Sequence, residues 1–126
     1  MKEILITSAL RTPVGSINKS LKNVPADELG AAVITASAEK LKIQKDQIDE
    51  VIMGQVLTGG AGQNPARQAS LSSGIPKEKP AYIVNQVCGS GIRSVASGFQ
   101  SIKSGDSKVV ISCLLYTSPS PRDSSQ

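Results

Sequence analysis

The sequence predicts an α/β fold, a mainly parallel sheet with helices on both faces. Three observations carry that expectation. Short runs rich in β-branched residues, such as "EILITSA" (3–9) and "KVVIS" (108–112), alternate with longer stretches of helical periodicity. Turn residues separate them, among them Pro13, Gly59, Gly74 and Gly105. Alternation of this kind favours parallel strands, because each parallel pair needs a crossover long enough to hold a helix.

Taken in order, "EILITSA" reads as the first strand and "RTPVGS" as the turn after it. The pattern becomes helical from Ala26 to Lys42, with Asp27 and Glu28 placed to complement the dipole in the first turn. Leu29, Val33 and Ala36, with Ile34 and Leu41 beside them, form its expected apolar face. "IDEVIMGQV" (48–56) is the second strand, and "KLKIQKDQIDE" (40–50) before it reads as a solvated helix end and loop. "LTGGAGQN" lacks the spacing and lysine of a phosphate loop, so it reads as a turn. Asn64 then caps a short helix with Pro65 at its first position and Gly74 just past its end. "AYIVNQV" (81–87) is the third strand, Gly89 to Ser104 the third helix with Gly105 as its stop, and "KVVIS" the fourth strand. The expected order over residues 3–112 is βαβαβαβ, with any ligand site outside the carboxyl ends of the strands.

Within the third helix, Ile92, Val95, Phe99 and Ile102 make one apolar stripe. Most other positions are small: Gly91, Ser94, Ala96, Ser97, Gly98 and Ser101. Glycine costs up to about 1 kcal/mol relative to alanine in a helix, which close approach of another backbone would explain. This helix is expected to be covered on more than one side, by more protein than 126 residues readily supply.

Composition narrows the function classes. Hydrophobic content is 39% but aromatic content only 2%, so the core must come from Val, Ile, Leu and Ala and is thin for one domain of this length. The net charge of +4 is scattered, without a basic block or aromatic platforms, which argues against nucleic-acid binding and remains compatible with an anionic small molecule. The amino terminus has no signal-peptide pattern, and no stretch has the length of a membrane span. Two cysteines, Cys88 and Cys113, give neither a metal spacing nor a disulfide framework, so the expected setting is reduced and cytoplasmic. The chain contains no histidine.

Cys88 stands where a strand gives way to "CGSG" and a helix. One reading is a small buried hydrophobe. The other is a nucleophile at a helix amino terminus, where unpaired N–H groups favour a thiolate and can stabilise an oxyanion. A tight strand-to-helix turn that lifts a reactive atom above a sheet is the logic of the nucleophile elbow. On spacing alone the two readings stand level.

The segment "VNQVCGSGIRSV" (84–95) resembles the nucleophile segment of the thiolase family. "VIMGQVLTGGAGQNPARQAS" (51–70) resembles its second strand and following loop, and "ITSALRTPVGS" (6–16) its opening. The likeness is nearly collinear from Met1 to Ser112, and the "GQNPARQ" block is closest to the acetyl-CoA acetyltransferase branch. The resemblance implies a truncated, thiolase-like amino-terminal half over residues 1–112. It implies Cys88 as the residue that carries the acyl group as a thioester, its backbone N–H serving as half of an oxyanion hole. It further implies coenzyme A thioesters as substrates, no tightly bound cofactor, and a homodimeric or homotetrameric parent enzyme. Gln63, Asn64 and Arg67 would lie near the dimer interface, and Arg93 receives no catalytic role. The "GQNPARQ" block favours thiolase over a ketoacyl-synthase type of condensing enzyme, and the alternatives left open are a 3-ketoacyl-CoA thiolase of fatty-acid degradation and a non-catalytic α/β fragment with a structural Cys88.

Two departures stand beside that likeness. The family's activating histidine and second reactive cysteine belong to a carboxyl-terminal half absent from this sequence, and nothing around Cys113 matches the latter's segment. After "KVVIS" the chain continues as "CLLYTSPSPRDSSQ", which resembles read-through of a sequencing-library adapter. Residues 113–126 are therefore expected to form a non-family tail. Leu114, Leu115 and Tyr116 would extend the strand by β-propensity, with order fading between Cys113 and Thr117 and no packed contacts from Ser118 onward.

Overall fold

The computed structural model describes residues 3–15 and 20–116. Its elements are α1 (Ala26–Leu41), β1 (Glu50–Gln55), α2 (Pro65–Ser72), β2 (Ala81–Val84), α3 (Ser90–Ser104) and β3 (Val110–Leu115). Short 3-10 turns at Lys45–Gln47 and Val87–Gly89 precede β1 and α3. The sheet order is β2-β1-β3 and both pairings are parallel, with Gly54 opposite Val84 on one side and Leu114 on the other.

Local signals explain the helix ends. Asn64 adopts φ 44° and accepts the Arg67 N–H on its side chain, and Pro65 needs no hydrogen-bond partner at the first helical position. Gly105 closes α3 at φ 90°, a conformation glycine adopts without strain.

Topology then assigns the faces. The chain steps from β1 to one neighbour through α2, then back across β1 to the other neighbour through α3. Two crossovers of the same hand in opposite directions put their helices on opposite faces of the sheet. On one face, Val51, Met53 and Leu115 form a core with Ile34 and Ala38 of α1 and Ala66 and Ala69 of α2. Burial of each large apolar side chain there contributes about 1.5–3 kcal/mol. On the other face, Gly54 meets α3 so closely that a Cβ there would lie 2.5 Å from the Ser90 backbone. Gly98 of α3 packs in turn on Val110 and Ser112 of β3.

Several expectations need correction. Residues 3–9 are not a strand; the apolar run has no pairing partner among the described residues, and Ile6 is 79% exposed. Among the described residues the order is therefore αβαβαβ, with three strands rather than four. The buried face of α1 is Ala26, Gly30, Ile34 and Ala38; of the expected face Ile34 is buried, Leu29, Val33 and Leu41 are half-buried and Ala36 is exposed, because the close approach to α2 and the sheet is made at Gly30. Residues 40–50 are not simply solvated, since Ile48 and Glu50 are buried. The third strand ends at Val84, three residues early, where the chain enters the turn before α3. The apolar stripe of α3 needs no correction in position: Ser90, Ser94 and Gly98 face the sheet, and the stripe lies on the other side, with Ile92 80% and Phe99 46% exposed where the sequence predicts further protein as cover.

The last strand extends beyond Ser112, as expected for Leu114 and Leu115, but stops short of Tyr116. Cys113, Leu114 and Leu115 pair in register with Met53, Gly54 and Gln55, and Leu115 is 4% exposed. Tyr116 is outside the strand and exposed. The expectations for residues 117–126 lie outside the described residues. Among the described residues, no helix is long and apolar enough to cross a membrane.

Candidate active site

β1 is followed by a helix on one face and its neighbour β2 by a helix on the other, so the carboxyl ends of these two strands form a topological switch point. The segment 85–89 leaves β2 there and turns into α3. Asn85 Nδ2 donates to Val56 O, 3.3 Å away, tying the two strand ends together. Cys88 is exposed within this turn, immediately before the first residues of α3. The structure thus places the sequence's candidate nucleophile at a strand-to-helix junction, as expected.

The turn is strained and heavily bonded. Val87 adopts φ 51°, a left-handed conformation that a β-branched residue rarely takes. Its N–H donates to Asn85 Oδ1 at 2.8 Å. Ser90 Oγ donates to Val87 O at 2.7 Å and accepts the Gln86 N–H at 2.8 Å. The Gly89 N–H donates to Gln86 O at 2.9 Å. Arg93 Nε donates to Gln86 Oε1 at 2.7 Å, so this cation is engaged with the turn's outer edge. Sequence reasoning passed over Asn85, Gln86 and Ser90. The available signal was their polar character on both sides of Cys88, in a stretch that otherwise reads as strand.

The other cysteine belongs elsewhere. Cys113 lies within β3 and packs against the α1–α2 side of the sheet, whereas α3 covers the opposite face. Burial pushes its thiol above the usual range, only partly offset by its contact with Leu114 O. The expected interface residues serve contacts within the chain. Asn64 Nδ2 donates to Ala81 O at 2.9 Å, Arg67 donates to the carbonyls of Lys77 and Lys79, and Gln68 donates to Gln63 O. At the far end of β1, buried Glu50 accepts from Ser101 and Ser107. Burial first, then the Glu50 carboxylate, push the Tyr82 phenol up. This second polar cluster is at the amino end of the sheet, away from Cys88.

The geometry can be set against known proteins. A model of the thiolase amino-terminal domain matches residues 4–113. The acetyl-CoA acetyltransferase of Rhizobium meliloti is 54% identical over 108 residues, which is 86% of this chain and 28% of that protein. The Escherichia coli acetyl-CoA acetyltransferase is 50% identical over 111 residues, 88% of this chain and 28% of that protein. Among solved structures, the Bacillus anthracis acetyl-CoA acetyltransferase superposes with a TM-score of 0.81 at 32% identity, covering 86% of this chain and 28% of that one. The Acat5 thiolase from Ascaris suum, in complex with coenzyme A, superposes with a TM-score of 0.74 at 36% identity, covering 76% and 25%. The chain spans 28% of the length of these curated relatives.

Proposed function

The chain belongs to the thiolase family, and on that premise we propose that Cys88 is the acyl-accepting nucleophile of an acetyl-CoA C-acetyltransferase. The observation that carries the reading is the exposed thiol on a strained turn at the head of α3, at the sheet's switch point. The reaction runs in two halves. The Cys88 sulfur attacks the thioester carbonyl of acetyl-CoA, the carbon–sulfur bond to coenzyme A breaks, and the coenzyme leaves as its thiol. The α-carbon of a second acetyl-CoA, having lost a proton, then attacks the acyl-Cys88 carbonyl. Acetoacetyl-CoA departs and the thiol is restored. Each attack builds negative charge on a carbonyl oxygen, which the Cys88 N–H supports as half of an oxyanion hole.

Both halves need a base. The chain has no histidine, so the base and the second acid/base group come from further chain, and the 126-residue molecule is inactive alone. That further chain covers the exposed apolar stripe of Ile92, Val95 and Phe99. The two unpaired cysteines suit a reducing, cytoplasmic compartment, and the assembled enzyme is a homodimer or homotetramer.

Joining residues 1–112 to the remaining carboxyl-terminal part of the Rhizobium meliloti relative tests the reading. The hybrid is expected to cleave acetoacetyl-CoA with coenzyme A, and Cys88→Ala to lower kcat by at least about 10³-fold. A Cys88→Ala hybrid that keeps its rate overturns the assignment. Turnover by the isolated chain overturns the claim of its inactivity.

A further inference from the structure

The strained turn raises a question that the nucleophile assignment leaves open: what holds Val87 in a conformation it resists? We propose that Ser90 is a positioning residue that aims the Cys88 N–H, with Asn85 as its counterpart on the other side of Val87. The proposal rests on the reading of Cys88 as the nucleophile.

A peptide unit is planar and trans, so its C=O and N–H point in opposite directions. Among the described residues there is no cis peptide. The carbonyl of Val87 and the N–H of Cys88 therefore belong to one rigid plane, and whatever grips the first directs the second. Ser90 grips that carbonyl twice, through its hydroxyl at 2.7 Å and through its own backbone N–H. Asn85 Oδ1 holds the Val87 N–H, which fixes the preceding plane. With both planes pinned, the φ of 51° between them is enforced rather than chosen.

Ser90 itself cannot withdraw. It is fully buried, its hydroxyl also accepts the Gln86 N–H, and its backbone lies against Gly54 with no room for a Cβ between them. A line of contact thus runs from the central strand through Ser90 to the Val87 carbonyl and the Cys88 N–H. If that N–H is an oxyanion donor, losing the grip affects acyl transfer, which forms an oxyanion. Alkylation of the same thiol forms none, and should be spared.

The test compares two reactions of Cys88 in the 126-residue chain. With 4-nitrophenyl acetate, the thiolate attacks the carbonyl, a carbon–sulfur bond forms and 4-nitrophenolate leaves. With iodoacetamide, it displaces iodide directly. Ser90→Ala is expected to lower the acylation rate about tenfold while alkylation changes less than about twofold. Cys113, partly buried in the sheet, should stay protected and so report an intact fold. Adding Val87→Gly should restore part of the acylation rate, since glycine adopts the left-handed conformation without strain. Should Ser90→Ala unfold the chain, Cys113 will alkylate freely. Asn85→Ala, a change at an exposed residue, then decides, and it must lower the same ratio. A ratio untouched by Asn85→Ala, or by Ser90→Ala in a folded chain, overturns the proposal alone. A parent ratio no higher than that of the urea-unfolded chain overturns the nucleophile reading, and this proposal with it.

Discussion

Gly54→Ala is the sharpest test of how α3 sits on the sheet. A Cβ built on Gly54 would lie 2.5 Å from both the carbonyl carbon and oxygen of Ser90, and 2.9 Å from the Gly91 nitrogen. Ordinary contact begins at 3.4 Å, so the shortfall is 3.4 − 2.5 = 0.9 Å. All three atoms are backbone, and no rotamer change relieves the clash. β1 is held by parallel ladders on both sides, so the first turn of α3 must move away. A displacement of that size lies at the upper end of overpacking costs, about 3 kcal/mol. With a urea m-value of about 1.5 kcal/mol per molar for a domain of this size, the midpoint should fall by about 2 M. Gly98→Ala is the internal comparison. Its Cβ would meet Ser112 Oγ at 2.8 Å and Val110 Cγ1 at 3.1 Å, side-chain atoms rather than backbone, and Ser112 Oγ yields only by giving up its bond to Ser94 O. The helix gains about 1 kcal/mol from alanine there, which offsets the roughly 1 kcal/mol of that bond, so the net change should be near zero. Equilibrium urea unfolding followed by circular dichroism reads both. A Gly54→Ala midpoint within about 0.3 M of the parent, or a Gly98→Ala loss exceeding it, would refute the packing argument.

Three further outcomes follow from other contacts. Leu115→Ala should cost about 2–4 kcal/mol, because Leu115 is buried against Gly30 of α1; a loss under about 1 kcal/mol would mean that β3 effectively ends at Ser112. Asn64→Ala should cost about 1–2 kcal/mol through the lost cap, the lost bond to Ala81 O and the left-handed φ, whereas Asn64→Gly loses the same bonds but tolerates that φ and should cost clearly less; equal losses would show that the left-handed φ contributes nothing. Burial works against ionisation of Asp49, but the N–H groups of Lys108 and Val109 and the Lys79 ammonium outweigh it and hold the carboxyl below its usual 3.8. A carboxyl with a depressed folded pKa contributes stability above its unfolded pKa and loses it as pH falls through the folded one. Urea midpoints measured from pH 7 downward should therefore show parent and Asp49→Asn converging below about pH 4, and parallel curves would remove Asp49 as the cause.

What the sequence determined by itself is mostly local. The ends of α2 and α3 were readable because Asn64, Pro65 and Gly105 act within one helical turn, through a cap, a preset φ and a left-handed stop. The position of Cys88 in a turn was readable because an apolar β-branched run giving way to a Gly-Ser-Gly stretch marks a strand-to-helix junction, although spacing alone left its role open. Tertiary structure decided the rest. Residues 3–9 have the composition of a strand, but a strand exists only when another supplies its hydrogen bonds, and composition cannot reveal that none does among the described residues. The apolar stripe of α3 was correctly located and yet faces outward. Gly54 brings the first turn of the helix against β1 at Ser90, and Gly98 brings its later turns against β3, so only small residues face the sheet; the first of these contacts joins residues 36 positions apart in the chain. The grip of Ser90 on the Val87 carbonyl is of the same kind. A serine three residues along is unremarkable in a sequence, and it acquires its role only because Val87 is held left-handed and the central strand leaves the serine nowhere else to go.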